Sequence, residues 1–490
     1  MQLTSGPDSD DIFICKEPGL YPDVMQPLEP NKRLAIANNL RSLMVEIDTQ
    51  GKVAPGIYPI TFCFQYDHLL GQENGQHRVT FQLEIIDAYL PKQDLIFTQW
   101  FYCDSLKRYY HTGTFDDRHF EIIENFAKVA VKYGVNMLLT PVFTPTLDTY
   151  IGGERDTMQL VGVMRENGNY SFDFSLLDRW VAMCNRIGIK YFEITGFFTQ
   201  WGAKSAPKIM ATVDGEYKKL FGWETDALSE EYADFLRAFI PNFLEHMKQL
   251  DSADKRCWFH ISDEPSKEQL DGYLKVKAII EPLVKGYPIM DALSSFEFYS
   301  TGAVQQPVVS ISHITKFIEN KVPDLWGYYC LTEGKEGFSN RLIAMPSFRN
   351  RILGIQLYKF GIKGFLHWGY NFYFNQFSYA SVNPFMNTDG EYFAAAGDAF
   401  SVYPGSDGFP WESIRLLVFF DGLQYMRACK LCEQLYGKEY VMGIIEEAGA
   451  IDFKNYPRKA EYLLSIREKI NRAIATYHAN ATICEGKKRE

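Results

Sequence analysis

From about residue 95 onward, stretches with the hydrophobic period of an amphipathic helix alternate with short, uniformly apolar runs. One phrase recurs at the junctions, in 132–139, 186–194 and 359–366: a basic residue, an apolar or aromatic residue, a glycine and then an apolar run. A glycine in that place is typical of the left-handed residue that ends a helix, and the apolar run is typical of a strand covered on both faces. The pattern therefore predicts repeated helix–strand units in an α/β protein with a parallel sheet.

The apolar runs predict eight parallel strands in this part of the chain. Eight strands over about 340 residues favour a closed (β/α)8 barrel over an open doubly wound sheet. No G-x-G-x-x-G motif opens a helix after the first strand, which weakens the dinucleotide-binding alternative. The predicted strands lie near residues 95–103, 135–141, 189–195, 257–263, 288–293, 325–331, 364–369 and 399–403.

Residues 1–92 have a different pattern from the rest of the chain. Short β-type runs, such as 58–64 and 78–86, alternate there with turn formers, which predicts a small antiparallel β-sandwich. The predicted catalytic barrel then occupies 93–440. A C-terminal helical extension, 441–490, is expected to pack on the outside of the barrel.

The composition narrows the classes of function. The net charge is −11 and no basic stripe is present, which argues against nucleic acids and anionic membrane surfaces as partners. No apolar run reaches membrane-spanning length, so we expect no insertion into a membrane. Aromatic residues make up 15% of the chain, and such a surplus suits pockets that stack on sugar rings, although most aromatic side chains fill a core.

The cysteines and the N-terminus bear on the cellular compartment. The nine cysteines are scattered, and the C-x-x-C formed by Cys429 and Cys432 has no partner pair or His cluster, so we expect buried thiols in a reducing compartment. The first residues have neither the basic region nor the apolar core of a signal peptide, which favours a cytoplasmic location. We expect no cofactor and no metal.

The segment 258–265, Trp-Phe-His-Ile-Ser-Asp-Glu-Pro, is an apolar run that ends in two adjacent carboxylates, Asp263 and Glu264. Ser266 with Gln269 predicts the start of a helix directly behind them. The two acids therefore fall at the carboxyl end of a strand, where barrel enzymes carry out their chemistry. Because ionising one carboxylate raises the cost of ionising its neighbour, such a pair can hold an acid and an anion at neutral pH. A helix-capping acidic turn is the structural alternative.

Aromatic and polar side chains gather at most of the other predicted strand ends. The combination is typical of carbohydrate pockets, in which aromatic faces hold the C–H side of a sugar ring and polar groups bind its hydroxyls. The residues predicted to contact substrate are Gln200, Trp201, Lys204, His260, Trp326, Tyr328, Trp368 and Asn371.

The position of Glu264 resembles that of the acid/base residue in the large clan of retaining barrel glycosidases, which place a nucleophilic Glu at the end of strand seven. The predicted seventh strand, within 364–370, offers no carboxylate. A 2-acetamido group on the substrate can replace the nucleophile by attacking the anomeric carbon with its own carbonyl oxygen. One carboxylate would then orient the acetamide N–H, and its neighbour would protonate the leaving oxygen.

Several motifs follow in order after residue 92. They are 200–210 (Gln-Trp-Gly-Ala-Lys-Ser-Ala-Pro-Lys-Ile-Met), Asp214-Gly-Glu216, Phe221-Gly-Trp223, His260-x-x-Asp263-Glu264-Pro265, Gly364-Phe-Leu-His-Trp368 with Asn371, Tyr403-Pro-Gly405, Ser413-Ile-Arg415 and Asp421-Gly422. Together they resemble glycoside hydrolase family 123. The resemblance implies an N-terminal β-sandwich, a (β/α)8 catalytic barrel and exo-β-N-acetylgalactosaminidase activity on glycans such as those of glycosphingolipids. It also implies a substrate-assisted retaining mechanism, in which Asp263 orients the acetamide and Glu264 is the general acid/base.

The other polar and aromatic candidates are expected to bind substrate or to stabilise the fold. His260 is either a substrate-binding residue or a satisfied core histidine, and a metal site built from it with Asp263 and Glu264 is disfavoured because no second His cluster has ligand spacing. Arg415 and Asp421 are expected to form a structural ion pair. The other expected roles are a hydrogen bond to the acetamide oxygen for Tyr328, walls around the acetamido methyl and the ring for Trp201, Trp326 and Trp368, and hydroxyl recognition for Gln200, Lys204 and Asn371.

Two other functions stay open at this point. An exo-glycosidase for β-linked N-acetylglucosamine would need the same acids, because the two sugars differ only at the C4 hydroxyl. A non-catalytic glycan-binding protein with a degenerate barrel would be expected to have lost one acid, and both are present. The leaving group of the glycan and the oligomeric state are not predicted.

Overall fold

The computed structural model describes residues 2–3, 13–15, 17–28, 40, 42–66 and 75–486. Eight parallel strands pair within it in the order β4-β3-β2-β1-β8-β7-β6-β5. A parallel bridge between Phe259 and Ile289 joins the two ends of this order, so the strands form the predicted (β/α)8 barrel. The strands are β1 Ile96–Gln99, β2 Met137–Thr140, β3 Tyr191–Ile194, β4 Cys257–Trp258, β5 Met290–Leu293, β6 Gln306–Ser310, β7 Trp326–Tyr328 and β8 Gly364–His367.

Helices cover the outside of the barrel. Gly188 and Gly361 end two of them in the left-handed conformation, with φ of 94° and 65°, as the recurring glycine phrase predicts. The α-helices of the described residues are α1 Cys103–Tyr110, α2 Asp117–Lys132, α3 Ser175–Ile187, α4 Glu230–Gln249, α5 Leu270–Ile280, α6 Phe296–Ser300, α7 Thr315–Glu319, α8 Ser347–Phe360, α9 Ile414–Tyr436, α10 Lys438–Ile445 and α11 Ala460–Gly486. In the part of the chain that the structure describes, no helix is both long and apolar enough to cross a bilayer.

The predicted strand count is right, but one strand is misplaced. Strand β6 is absent from the prediction because Pro307 interrupts its apolar run and because the helices on either side, α6 and α7, have only five residues each. The predicted strand at 399–403 lies outside the barrel, where Val402–Pro404 pairs with Pro410–Ser413 in an antiparallel sheet. The strand that carries Tyr328 is therefore the seventh, and 364–367 is the eighth.

A four-stranded sheet enlarges the loops that follow β2 and β3. Its strands come from both loops, so the sheet ties them to each other. Phe172 on this sheet packs against Phe235 and Phe239 of α4, with ring centroids 6.2 and 5.4 Å apart. The loops are thereby held against the barrel. The strands of the sheet are Gly162–Glu166, Asn169–Asp173, Ile209–Val213 and Glu216–Phe221.

The N-terminal part of the chain forms small antiparallel sheets, in agreement with the β-rich start predicted for it. The longest is a hairpin whose two strands have eleven residues each. The boundaries 1–92, 93–440 and 441–490 stay a prediction. The pairs are Gln2–Leu3 with Gly19–Leu20, Gly56–Tyr66 with Gly75–Ile85, and Val24–Met25 with Pro410–Ser413.

A buried ion pair joins the N-terminal segment to α9. The Arg415 guanidinium donates from Nε to Asp23 Oδ1 at 2.9 Å and from a terminal nitrogen to Oδ2 at 3.0 Å. The expected pair between Arg415 and Asp421 is therefore wrong, and Asp421 pairs with Arg351 at 2.8 Å. Residues six apart on a helix do not face each other, so Arg415 and Asp421 pair with residues on other parts of the chain.

Candidate active site

Asp263 and Glu264 follow β4 at the carboxyl end of the barrel, as predicted. The Glu264 N–H donates to the carbonyl of Ala292 on β5 at 3.2 Å, and the Asp263 carbonyl accepts from the Trp201 N–H at 3.2 Å. Glu264 has a φ of 42°, in the left-handed region that side chains other than glycine rarely adopt. Such conformations cost energy and concentrate at functional sites, so this turn is a candidate for chemistry rather than a simple helix cap.

Tyr328, at the end of β7, contacts Glu264 directly. Its buried hydroxyl donates a hydrogen bond to Glu264 Oε1 at 2.6 Å. Desolvation by the surrounding protein raises the pKa of Glu264 above its usual range, and the hydrogen bond from Tyr328 opposes that rise. A carboxyl group with a raised pKa is suited to donate a proton near neutral pH. The Tyr328 hydroxyl thus contacts Glu264, and its hydrogen bond to an acetamide oxygen stays a prediction.

The charge state of Asp263 depends on its neighbours. Burial raises the pKa of Asp263 well above its usual range, and the charge of Glu264 raises it further. His260 lowers this pKa, while the more distant carboxylates of Asp291 and Glu193 raise it. The adjacent acids therefore oppose each other's ionisation, and His260 favours the anion at Asp263.

His260 lies in the barrel interior between two carboxylates. Its Nε2 is 2.8 Å from Glu193 Oε1, and its Nδ1 is 3.3 Å from Asp291 Oδ1. Burial disfavours the charged ring, but the hydrogen bonds to Asp291 and Glu193 outweigh burial and raise the pKa of His260 to about 10. The ring is consequently an imidazolium at neutral pH, and both of its N–H groups donate to protein.

Glu193 and Asp291 are absent from the sequence-based predictions. The buried Glu193 carboxylate accepts from Trp100 Nε1 at 2.7 Å and from the Thr98 hydroxyl. The buried Asp291 accepts from the Tyr273 hydroxyl at 2.5 Å. The signal in the sequence that could have revealed these two residues is a single acidic residue inside an apolar strand, because a buried carboxylate needs partners to offset its desolvation.

A pocket opens beside Asp263, between the ends of the first four strands. Gln200 is buried in its wall, where Oε1 accepts from the Asp148 N–H at 2.6 Å and Nε2 has no hydrogen-bond partner among the residues that the structure describes. An unpaired buried amide is costly, so Nε2 is a candidate donor to a ligand. The pocket is lined by Trp100, Leu139, Pro145, Thr146, Leu147, Thr195, Gly196, Phe198, Gln200, His260, Ser262 and Asp263.

The barrel that carries the paired acids matches a known protein family. The model of the glycoside hydrolase 123 catalytic domain matches residues 100–432, more than half of the chain. The chain belongs to glycoside hydrolase family 123. It is therefore a glycosidase.

Among solved structures, this family 123 chain is similar to a family 123 glycoside hydrolase from Clostridium perfringens that was analysed for glycolipid glycan hydrolysis. The identity is 14% and the TM-score 0.64, over 88% of this chain and 77% of that one, which supports the fold. A family 5 mannosidase from Rhizomucor miehei has 12% identity and a TM-score of 0.34, over 71% of this chain and 96% of that one. A chitinase catalytic domain from Pyrococcus furiosus has 9% identity and a TM-score of 0.31, over 68% of this chain and 97% of that one. A search of curated proteins found no match.

Two predicted substrate residues occupy structural positions in this family 123 barrel. Trp326 is buried at the start of β7, where it packs on Trp258 with ring centroids 5.1 Å apart. Asn371 is also buried, and its side chain accepts from the Tyr102 N–H at 2.9 Å and donates to the Tyr102 carbonyl at 3.1 Å. Neither residue lines the pocket beside Asp263.

Three other predicted residues of the family 123 site are at least partly accessible to solvent. Trp201 is 36% exposed, and Lys204 is exposed. Trp368 is half-buried and donates from its indole N–H to Asp398 at 2.9 Å, which fixes its ring. None of the three lines the pocket beside Asp263.

The seventh strand of this family 123 chain carries no carboxylate. The first acid after β7 is Glu333, which is fully buried. Its carboxylate accepts from the Ser312 hydroxyl at 2.6 Å, from the Ser310 hydroxyl and from the Cys330 N–H at 3.0 Å. A carboxylate with these partners is held away from solvent. With Trp326–Tyr328 as the seventh strand, we therefore still expect no nucleophilic carboxylate of the enzyme at the end of that strand. Within the described residues, no group of three or more His, Cys, Asp and Glu side chains is placed to hold a metal ion.

Proposed function

We propose that this glycosidase releases terminal β-linked N-acetylgalactosamine from glycans by a substrate-assisted mechanism that retains the anomeric configuration. The observation that carries the proposal is the adjacent pair Asp263 and Glu264 at the end of β4, combined with a seventh strand that has no carboxylate. Retaining glycosidases need a nucleophile, and the 2-acetamido group of the substrate can supply it.

In the first step, Glu264 donates its proton to the glycosidic oxygen while the acetamide carbonyl oxygen attacks the anomeric carbon. The bond between that carbon and the leaving oxygen breaks, and a bicyclic oxazolinium ion forms. Asp263 accepts a hydrogen bond from the acetamide N–H and stabilises the positive charge that develops on the ring. Asp263 must be an anion in this role, and the positive charge of His260 favours the anion because it lowers the pKa of Asp263.

In the second step, water attacks the anomeric carbon and gives a proton to Glu264, which now acts as a base. The carbon–oxygen bond to the acetamide breaks, so the acetamide is regenerated and two inversions give net retention. Tyr328 supports the first step, because its hydrogen bond to Glu264 stabilises the carboxylate left after proton transfer.

The proposed substrate is a glycolipid or an oligosaccharide with a terminal β-N-acetylgalactosamine. The pocket beside Asp263 is lined by both apolar or aromatic and polar side chains, a composition that suits a sugar ring with its acetyl methyl and its hydroxyls. The study of glycolipid glycan hydrolysis in the Clostridium perfringens enzyme supports this substrate class for a chain of the same family.

The test compares release of nitrophenol from four aryl glycosides: β-N-acetylgalactosamine, β-N-acetylglucosamine, β-galactose and a thioacetamido analogue. We expect turnover of the first sugar and none of β-galactose, because the acetamide is the nucleophile. The thioacetamido analogue identifies the attacking atom, since sulfur in place of oxygen leaves a thiazoline. Turnover of β-galactose would overturn the mechanism, and preference for β-N-acetylglucosamine would overturn the sugar assignment.

A further inference from the structure

Four aromatic side chains form a continuous cluster beside the opening of the pocket. Trp201 contacts Phe377 with ring centroids 5.6 Å apart, and Phe377 contacts Tyr379 at 6.2 Å. Tyr379 stacks on Tyr150 at 4.3 Å with an interplanar angle of 20°. We call these four residues the aromatic platform. They come from the loops that follow β2, β3 and β8.

The platform is accessible to solvent although it is strongly apolar. Tyr379 is 62% exposed and Trp201 is 36% exposed. Trp201 and Phe377 have φ angles of 58° and 57°, in the left-handed region that is unfavourable for large side chains. Strained backbone together with exposed aromatic rings is difficult to explain by stability alone, and it indicates a binding surface.

Hydrogen bonds fix the loops that carry the platform. The Phe377 N–H donates to Asp148 Oδ2 at 3.1 Å, and the Ser378 hydroxyl donates to the Asp148 carbonyl at 2.7 Å. The Tyr150 N–H donates to the Phe377 carbonyl at 3.4 Å. Asp148 is in turn bonded to the Gln200 side chain in the pocket wall, so platform and pocket share one network.

The platform is continuous with the acid pair. The Trp201 N–H donates to the Asp263 carbonyl at 3.2 Å, and Gln269 Nε2 donates to the Trp201 carbonyl at 2.6 Å. In an exo-glycosidase the terminal sugar fills the pocket, and the rest of the glycan must leave past the opening. A surface beside Asp263 and outside the pocket is therefore in reach of the leaving group.

We propose that the aromatic platform binds the sugar next to the one that is cleaved. The proposal rests on the function proposed above and adds a binding site for the leaving group. Aromatic faces hold the C–H side of a pyranose ring, and the hydroxyls of Tyr150 and Tyr379 supply the polar edge that a sugar, unlike a hydrocarbon chain, can use.

The experiment compares two substrates in two variants. Tyr379→Ala is measured against wild type with a free trisaccharide that ends in β-N-acetylgalactosamine and with the aryl glycoside of the same sugar. We expect the ratio of the two kcat/KM values, trisaccharide over aryl glycoside, to fall about tenfold in Tyr379→Ala, as expected for the loss of one stacking contact.

The matched control is Tyr440→Ala. Tyr440 is 45% exposed and stacks on Tyr436 at 4.7 Å, much as Tyr379 stacks on Tyr150, but it lies on α10, which follows the last barrel helix. We expect the ratio in this variant to stay within about twofold of wild type. An unchanged ratio in Tyr379→Ala would overturn the proposal.

A binding experiment tests the platform without turnover. The disaccharide leaving group is titrated into wild-type protein and Tyr379→Ala while tryptophan fluorescence is recorded. Saturable binding that Tyr379→Ala weakens supports the platform, and equal or absent binding overturns it. A wild-type protein that binds the disaccharide but hydrolyses no 2-acetamido glycoside would contradict the proposed function and not the platform.

Discussion

The Nε2 atom of His260 lies 2.8 Å from Oε1 of Glu193, inside the wall of the pocket that Asp263 also lines. Asp291 contacts the opposite ring nitrogen, so one imidazolium is held between two buried carboxylates. This arrangement places a fixed positive charge behind the acid that is proposed to stabilise the oxazolinium. It also makes the stability of the barrel sensitive to pH.

The first prediction concerns that sensitivity. Because the pKa of His260 is raised to about 10 in the folded protein, its contribution to stability is complete below about pH 6.5, the usual pKa of His, and is lost as the pH rises through about 10. The double variant His260→Gln/Glu193→Gln removes the titrating ring and one of its anions together. Between pH 7 and 10 the Tm of wild type should fall at least about 2 °C further than that of the variant. Parallel curves would show that His260 is neutral in the folded state.

A second prediction addresses Tyr328. Its hydrogen bond lowers the pKa of Glu264, so Tyr328→Phe should raise that pKa. Glu264 must be protonated to donate, and the basic limb of the kcat/KM profile should therefore move to higher pH. We expect the maximum rate to fall about tenfold, because the carboxylate left after proton transfer loses its partner. The pH–rate profile with a natural glycan, whose sugar leaving group needs protonation, is the measurement, and a shift to lower pH would contradict the assignment.

The third prediction separates the two acids. Glu264→Gln should reduce hydrolysis of a natural glycan about 10³-fold, because a sugar leaving group needs protonation. An aryl glycoside with an acidic phenol needs little protonation, so its rate should fall far less in the same variant. Asp263→Asn serves as the comparison and should slow both substrates to a similar extent. Intact hydrolysis of the natural glycan by Glu264→Gln would mean that another group is the acid.

A fourth prediction concerns the ion pair between Asp23 and Arg415. Asp23→Ala leaves a buried guanidinium without its carboxylate and should lower the free energy of unfolding by about 3 kcal/mol. Asp421→Ala is the control, because its pair with Arg351 is half-exposed and should contribute at most about 1 kcal/mol. Denaturant unfolding of both variants gives the two values, and equal effects would indicate that the N-terminal segment does not stabilise the barrel.

Much of the fold and part of the site can be predicted from the sequence. The barrel follows from the repeated helix–glycine–strand phrase, and the acids follow from two adjacent carboxylates at the end of an apolar run. Glu193 could not be predicted as a partner of His260, because 67 residues separate them and a lone charge in a strand does not reveal what it contacts.

The contacts that three predicted substrate residues make within the protein could not be predicted from the sequence, for related physical reasons. Trp326 and Tyr328 share one face of β7, and alternation along a strand reveals the face but not the depth within the barrel. Trp326 lies deeper and packs on Trp258, whereas Tyr328 lies at the strand end and contacts Glu264. Asn371 is a similar case, because amide groups bind backbone as readily as they bind a sugar.

The bond between Asp23 and Arg415 joins residues that are 392 positions apart in the chain. During synthesis, Asp23 leaves the ribosome long before Arg415 is translated. The strand Val24–Met25 is likewise made long before its partner strand Pro410–Ser413. Contacts between such distant positions form slowly, since a long loop must close before they contribute. The segment around Asp23 is therefore among the last to reach its native place, and on a ribosome stalled before residue 410 it would lack its partners.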